Sequence, residues 1–158
     1  MELNYLRIMT ESLEKKEDIL KQIVELNRQQ KFLLQDANLL PEEFEKNIQY
    51  KADLVEQLNL LDEGFGELFS KVREELQTNK QMYAGEIERM QELIRQITDL
   101  TNTIQTQEIR NKESATNKFT EIRKQVKGVR NSQKVVKQYY DNMMNHKTTM
   151  TQMIDNRK

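Results

Sequence analysis

The chain contains almost none of the residues that interrupt regular structure. It has one Pro and four Gly among 158 residues, and it has no Cys. Because so few Pro and Gly leave little to end a helix, we expect few and long elements. The lack of Cys excludes disulfides, thiolate chemistry and Cys-based metal sites, and it fits a protein of the reducing cytoplasm.

Neither sign of charge prevails. Lys and Arg together number 25, Asp and Glu together number 26, and the net charge is −1. Nucleic-acid-binding domains usually carry a net basic surface, so we predict no nucleic-acid partner. No window approaches the roughly 20 apolar residues of a membrane span. The first residues lack the basic and apolar regions of a secretory signal, and we therefore expect a cytoplasmic protein without a membrane span.

Apolar residues recur at intervals of three and four, which predicts helices and no strands. Only 36% of residues are hydrophobic, which suits helices that each bury one stripe. We predict an all-α fold with a single domain over residues 1–158. Its architecture is an elongated antiparallel helical bundle or coiled coil of about three long helices. The predicted bounds are 2–35 for helix one, 42–76 for helix two and about 82–145 for helix three.

Local signals mark one boundary and two irregularities. Pro41 followed by two Glu predicts the start of helix two, because Pro lacks only a donor that the first turn leaves free and Glu favours the positive end of the helix dipole. Gly64 and Gly66 each cost about 1 kcal/mol relative to Ala, so we expect a kink or a short break near residues 62–66. The apolar seam of helix one includes three polar residues, Lys16, Asn27 and Gln30.

The parts of an active site are missing from the sequence. His146 is the only His, and there is no glycine-rich phosphate loop and no metal-ligand spacing. Carboxylate pairs such as Glu42 and Glu43 occur on almost any charged helix and need a buried cleft to act as acid and base. We therefore predict that the protein is not an enzyme and has no catalytic residue, no cofactor and no metal.

Three stretches together resemble FlgN-type flagellar export chaperones. Residues 47–65 carry a Lys, then an apolar pair and a Leu-x-x-Leu-Asp pattern, and residues 102–111 carry a polar series ending in Arg-Asn. Residues 133–142 are similar to the C-terminal end of such chaperones. The resemblance implies a cytoplasmic protein that binds the C-terminal helical tails of hook–filament junction proteins before type III export. It also implies contact with the export gate protein through Tyr139 or Tyr140.

The apolar stripe in the last third of the chain is the predicted client-binding surface. It is longer than a hairpin of helices one and two can cover, and an uncovered helical seam is a binding site for an amphipathic helix. We predict that this C-terminal part of helix three binds the client through Phe119, Ile122, Val126, Val129, Val136, Tyr140 and Met143.

Several alternatives remain open at the level of sequence. The same C-terminal seam can form a homo-oligomer, in which case the protein is a structural coiled coil that acts by self-association. A FliT-like chaperone of the filament cap is a further alternative. Residues 123–137 contain six basic residues and no acidic one, which fits a solvated helix face or a surface for an acidic protein.

Overall fold

A computed structural model shows three long helices, namely α1 Glu2–Gln35, α2 Pro41–Thr78 and α3 Ala84–Gln125. The structure describes residues 2–125, 134 and 136–143, and residues 136–143 are also helical. No strand occurs within these described residues. The predicted all-α class is confirmed, and the observed bounds of the first two helices lie within two residues of the predicted ones.

The turn between α1 and α2 follows from its sequence. Leu40 adopts an extended backbone with φ −86° and ψ 122°, as expected for a residue that precedes Pro. Pro41 is the first residue of α2, and Glu42 and Glu43 lie in its first turn. The Asp36 carboxylate accepts a hydrogen bond from the backbone N–H two residues later at 2.9 Å, which stabilises the turn locally.

Side-chain pairs fix the relative direction of α1 and α2. Lys16 in the first half of α1 pairs with Asp62 in the second half of α2. Near the end of α1, Gln30 donates to Asn47 in the first half of α2 at 3.1 Å. Residues later in α1 contact residues earlier in α2, so the two helices run antiparallel.

The third helix runs in the same direction as α1. Arg89 lies 3.6 Å from Glu14 near one end, and the Lys118 ammonium donates to the Asp36 carbonyl at 2.6 Å near the other end. The latter contact places a cation at the negative C-terminal end of α1, where it is favourable. The backbone of α1 approaches both other helices closely, whereas α2 and α3 meet only through their side chains.

The glycine pair does not break α2. Residues 62–66 are helical throughout, because the neighbours of the glycines are anchored in the core. Asp62 is buried with Lys16, and Phe65 is buried and stacks on Phe69 at 6.5 Å. Gly64 faces open space, so its cost is limited to the intrinsic helix penalty of about 1 kcal/mol.

The core follows the seam that the sequence of helix one predicts, including its polar members. Buried residues of the other helices face it, among them Phe44 and Leu58 on α2 and Leu93 and Ile97 on α3. Every predicted seam position of α1 is at least 95% buried. These positions are Leu6, Met9, Leu13, Lys16, Leu20, Ile23, Asn27, Gln30 and Leu34.

The prediction of one continuous third helix to about residue 145 is wrong. The Tyr139 hydroxyl lies 3.4 Å from the Glu108 carboxylate, 31 residues earlier in the chain. In a straight helix, 31 residues at about 1.5 Å each would separate the two by roughly 46 Å. Residues 136–143 therefore lie beside α3 and not beyond it. Their aromatic face is covered by α1, α2 and α3, which together are called the body of the protein below.

Candidate functional site

A layer of buried polar side chains crosses the interior of the protein in the half nearer the α1–α2 turn, and we name it the polar centre. Each of the three helices contributes two residues to it, and all six are at least 96% buried. Polar groups so far from water are costly unless they find partners. The members are Asn27 and Gln30 on α1, Asn47 and Lys51 on α2, and Glu108 and Asn111 on α3.

Gln30 is the hub of the polar centre. Its Nε2 donates to the side-chain oxygen Oδ1 of Asn47 at 3.1 Å. Its Oε1 accepts from Asn111 Nδ2 at 3.1 Å, from the Lys51 ammonium at 3.3 Å and from the Tyr140 hydroxyl at 2.9 Å. One amide on α1 therefore joins both other helices and the residues near the C-terminus.

Amide groups of α2 and α3 also reach backbone carbonyls of α1. Asn47 Nδ2 donates to the Leu26 carbonyl at 2.9 Å, and Asn111 Nδ2 donates to the Asn27 carbonyl at 3.0 Å. Gln107 Nε2 reaches a third carbonyl of α1 at 3.1 Å. Because each carbonyl occupies one position along α1, these bonds fix the register of the three helices.

A buried ion pair completes the centre. Lys51 Nζ lies 2.7 Å from Glu108 Oε1, and the two side chains are 0% and 3% exposed. Burial lowers the pKa of Lys51 below its usual value, and the neighbouring Glu108 carboxylate opposes that shift. Removing one member of such a pair leaves an uncompensated charge and typically costs about 3–5 kcal/mol. The pair is enclosed by the helices, which suits a structural role better than contact with a substrate.

Residues 136–143, here named the C-terminal segment, pack against the polar centre. The side chains that face inward are spaced at three, one and three residues, as on one face of a helix. Tyr140 is completely buried, and its ring lies edge-on to that of Tyr139 at 5.3 Å between centroids. The Lys51 ammonium lies 4.6 Å from the centre of the Tyr139 ring, within the range of a cation–π contact.

This environment shifts the pKa values of the two tyrosine hydroxyls. Burial raises the pKa of Tyr139 well above 10, and the negative charge of Glu108 raises it further. The same causes, burial first and Glu108 second, raise the pKa of Tyr140. Both phenols are therefore neutral hydrogen-bond donors at physiological pH.

The structure does not gather the predicted client-binding residues into an open surface. Phe119 packs edge-on against Phe44 at 5.5 Å between centroids and is a core residue. Ile122 is half-buried, and Val126 and Val129 lie outside the described residues. Val136, Tyr140 and Met143 are buried on the inner face of the C-terminal segment, as is Tyr139, the other predicted gate contact.

Sequence reasoning identified Asn27 and Gln30 as polar members of an apolar seam, but it missed Lys51 and Glu108 as their partners. Both residues lie within the stretches that carry the chaperone resemblance. The signal that was available is that all three helices carry polar residues where an apolar seam is expected. Polar residues at core-facing positions of neighbouring helices find each other, because none has another partner.

Comparisons with protein-family models, with curated proteins and with solved structures find no significant match to this chain. Among the described residues, no cluster of three His, Asp or Glu side chains is arranged to hold a metal ion. His146 lies outside the described residues. None of the helices that the structure describes has an apolar stretch long enough to cross a membrane.

Proposed function

We propose that this chain is a chaperone that holds a helical segment of another protein, and that its clients are the C-terminal tails of hook–filament junction proteins before export. The FlgN-type resemblance of the sequence supports the choice of client. The structural observation that carries the proposal is the C-terminal segment, whose helical residues rest on α1, α2 and α3 through side chains such as Tyr139 and Tyr140.

The contact of the C-terminal segment with the body is close to energetic balance. Burying four large side chains, those of Val136, Tyr139, Tyr140 and Met143, contributes on the order of 10 kcal/mol. Fixing the backbone of eight residues costs about the same in conformational entropy. The segment is therefore held firmly enough to be ordered and weakly enough to be exchanged.

The inner face of the C-terminal segment is the proposed client-binding face. Val136, Tyr140 and Met143 share this face and form an apolar strip that an amphipathic helix can cover. When the segment leaves the polar centre, the strip becomes available to the client, and Tyr139 and Tyr140 become available to the export gate. Phe119 is not part of this proposal, because it belongs to the core.

The test measures binding of a fluorescent peptide that carries the helical C-terminal tail of a hook–filament junction protein. The Tyr140→Phe variant loses one hydrogen bond to Gln30, worth about 1 kcal/mol, so the released segment becomes more populated. We expect the affinity to rise by up to about fivefold, since apparent affinity scales with the competent fraction. Tyr50→Phe is the matched control, because Tyr50 is 60% exposed on α2.

A second variant tests whether the client binds the C-terminal segment or the three long helices. A chain truncated before residue 134 is expected to keep its helical circular dichroism and to lose peptide binding. Unchanged binding by the truncated chain would place the client site on the helices instead. If the full chain is a dimer that the truncation converts to a monomer, and no peptide binds, then the protein acts by self-association.

A further inference from the structure

A groove opens between α2 and α3 at the end of the molecule opposite the α1–α2 turn. The backbones of these two helices stay further from each other than either is from α1, at least within the described residues. Where α2 ends and α3 begins, this separation leaves a groove of about 720 Å³. Its floor is apolar and is formed by Met9 of α1 with Phe65 and Met90, all of which are buried.

The walls of the groove carry matched apolar side chains. Phe69 and Leu76 line the α2 wall, and Ile87 and Ile94 line the α3 wall. All four are half-buried. The members of each pair are seven residues apart, which is two helical turns or about 10.5 Å. An additional helix, with apolar residues that also recur every seven positions, fits between the two walls.

The rim of the groove is basic although the whole chain is slightly acidic. Arg73 and Lys80 lie on the α2 side and Arg95 on the α3 side, and Glu88 is the single acidic residue among the lining residues. No ion pair within the described part of the chain involves any of the three cations. Their charge is therefore available to an anionic partner.

A second surface groove has the opposite charge pattern. The shallower groove across α1 and α2 is lined by Glu25 and Asp53 and by no basic residue. Its volume is about 430 Å³, and the exposed ring of Tyr50 stands at its side. The two grooves would therefore select partners of opposite charge.

We propose that the α2–α3 groove docks an acidic amphipathic helix of a partner protein. The apolar floor and walls bind the apolar face of that helix, and Arg73, Lys80 and Arg95 pair with carboxylates along its edges. Residues 144–158 of this chain do not suit the groove, because they carry Lys147, Arg157 and Lys158 against one Asp. The site lies at the other end of the helices from the polar centre and does not depend on the proposed chaperone function.

The experiment uses the full chain and two designed helical peptides of about 18 residues, a length of about 27 Å. Both peptides carry Leu at heptad spacing, and their remaining positions are mostly Glu in one and mostly Lys in the other. Fluorescence anisotropy measures the affinity of each, and a photo-crosslinker at the centre of the peptide identifies the contacted residues. We expect the Glu peptide to bind at least tenfold more tightly than the Lys peptide and to crosslink to α2 and α3 at the groove.

The decisive variant reverses two exposed charges at the rim, Arg73→Glu with Arg95→Glu. We expect it to weaken the Glu peptide by at least about tenfold, since two attractive contacts become repulsive. The matched control is Lys46→Glu with Arg110→Glu, which makes the same change in net charge at exposed positions elsewhere on α2 and α3. The control should change the affinity by less than twofold.

Three results would overturn the proposal. One is the absence of binding by the Glu peptide, or equal binding of both peptides. Another is an equal loss of affinity in the groove variant and the control, which would indicate a general effect of charge. The last is a wild-type chain that sediments as a dimer while the Arg73→Glu, Arg95→Glu variant sediments as a monomer. The groove would then hold a second copy of this chain.

Discussion

Replacing Lys51 by Met tests whether the buried ion pair determines the stability of the protein. The change keeps the length of the side chain and removes the charge that lies 2.7 Å from Glu108. The carboxylate is 3% exposed, so it remains buried without a cation. We expect the free energy of unfolding to fall by about 3–5 kcal/mol, which is a large share of the 5–15 kcal/mol of a typical domain.

The double variant Lys51→Met with Glu108→Leu separates the cost of the orphaned charge from the loss of packing. Because both charges are gone, we expect its stability to lie within about 2 kcal/mol of the wild type. The remaining partners support this estimate, since Gln30 Oε1 still accepts from Asn111 and Tyr140. If Lys51→Met prevents folding altogether, the recovery of helical structure in the double variant still measures the effect.

Urea unfolding followed by circular dichroism at 222 nm gives the required free energies. Arg7→Met is the control for loss of an ion pair, because Arg7 is 71% exposed and lies 4.0 Å from Glu11. An exposed pair of this kind contributes little, so no measurable change is expected. A loss below about 1 kcal/mol in Lys51→Met, or a double variant no more stable than the single one, would refute the reasoning.

Further predictions concern the helix, the core and the tyrosines. Gly64→Ala should raise the free energy of unfolding by up to about 1 kcal/mol in urea, because an added Cβ meets nothing within 4 Å; a decrease would contradict this. Phe119→Ala should lower the free energy of unfolding by about 3–5 kcal/mol, since the ring packs against Phe44. A loss of client binding without a loss of stability would contradict the place of Phe119 in the core. The raised pKa values of Tyr139 and Tyr140 mean that their contribution to stability is complete below the usual value of 10.0 and is lost as the pH rises toward the folded-state values. Absorbance at 295 nm should therefore show ionisation that is delayed until unfolding, and the double change to Phe should remove that late phase.

Hydrophobic periodicity alone predicted the first helix and its inner face. The seam was recognised although Lys16, Asn27 and Gln30 interrupt it, because a helix presents the same face to its neighbours over many turns. Burial of all three confirms that a polar residue in register with an apolar stripe is a core residue. The local signal of Pro41 likewise located the start of α2 correctly.

Periodicity could not predict which partner covers the last apolar stripe. It reports which residues share a face, but it contains no information on whether that face meets another protein, a second copy or the same chain. The spacing from Phe119 onward predicts one continuous helix with an open seam. The contact of Tyr139 with Glu108 contradicts this, because it closes a loop of 31 residues that no local spacing encodes.

The polar centre is better explained by the position that it gives to the C-terminal segment than by the stability that it adds to the packing of the helices. Apolar residues at the same places would hold the helices at least as firmly, but they would not give the short C-terminal segment one defined position. A slip by one helical turn moves it about 5.4 Å, which would take the Tyr140 hydroxyl out of reach of Gln30. Departure of the segment, however, leaves both acceptors that its tyrosines contact with other partners. Gln30 Oε1 keeps its bonds to Asn111 and Lys51, and Glu108 Oε1 keeps its contact with Lys51. The polar centre therefore holds the segment in one place and still permits its release.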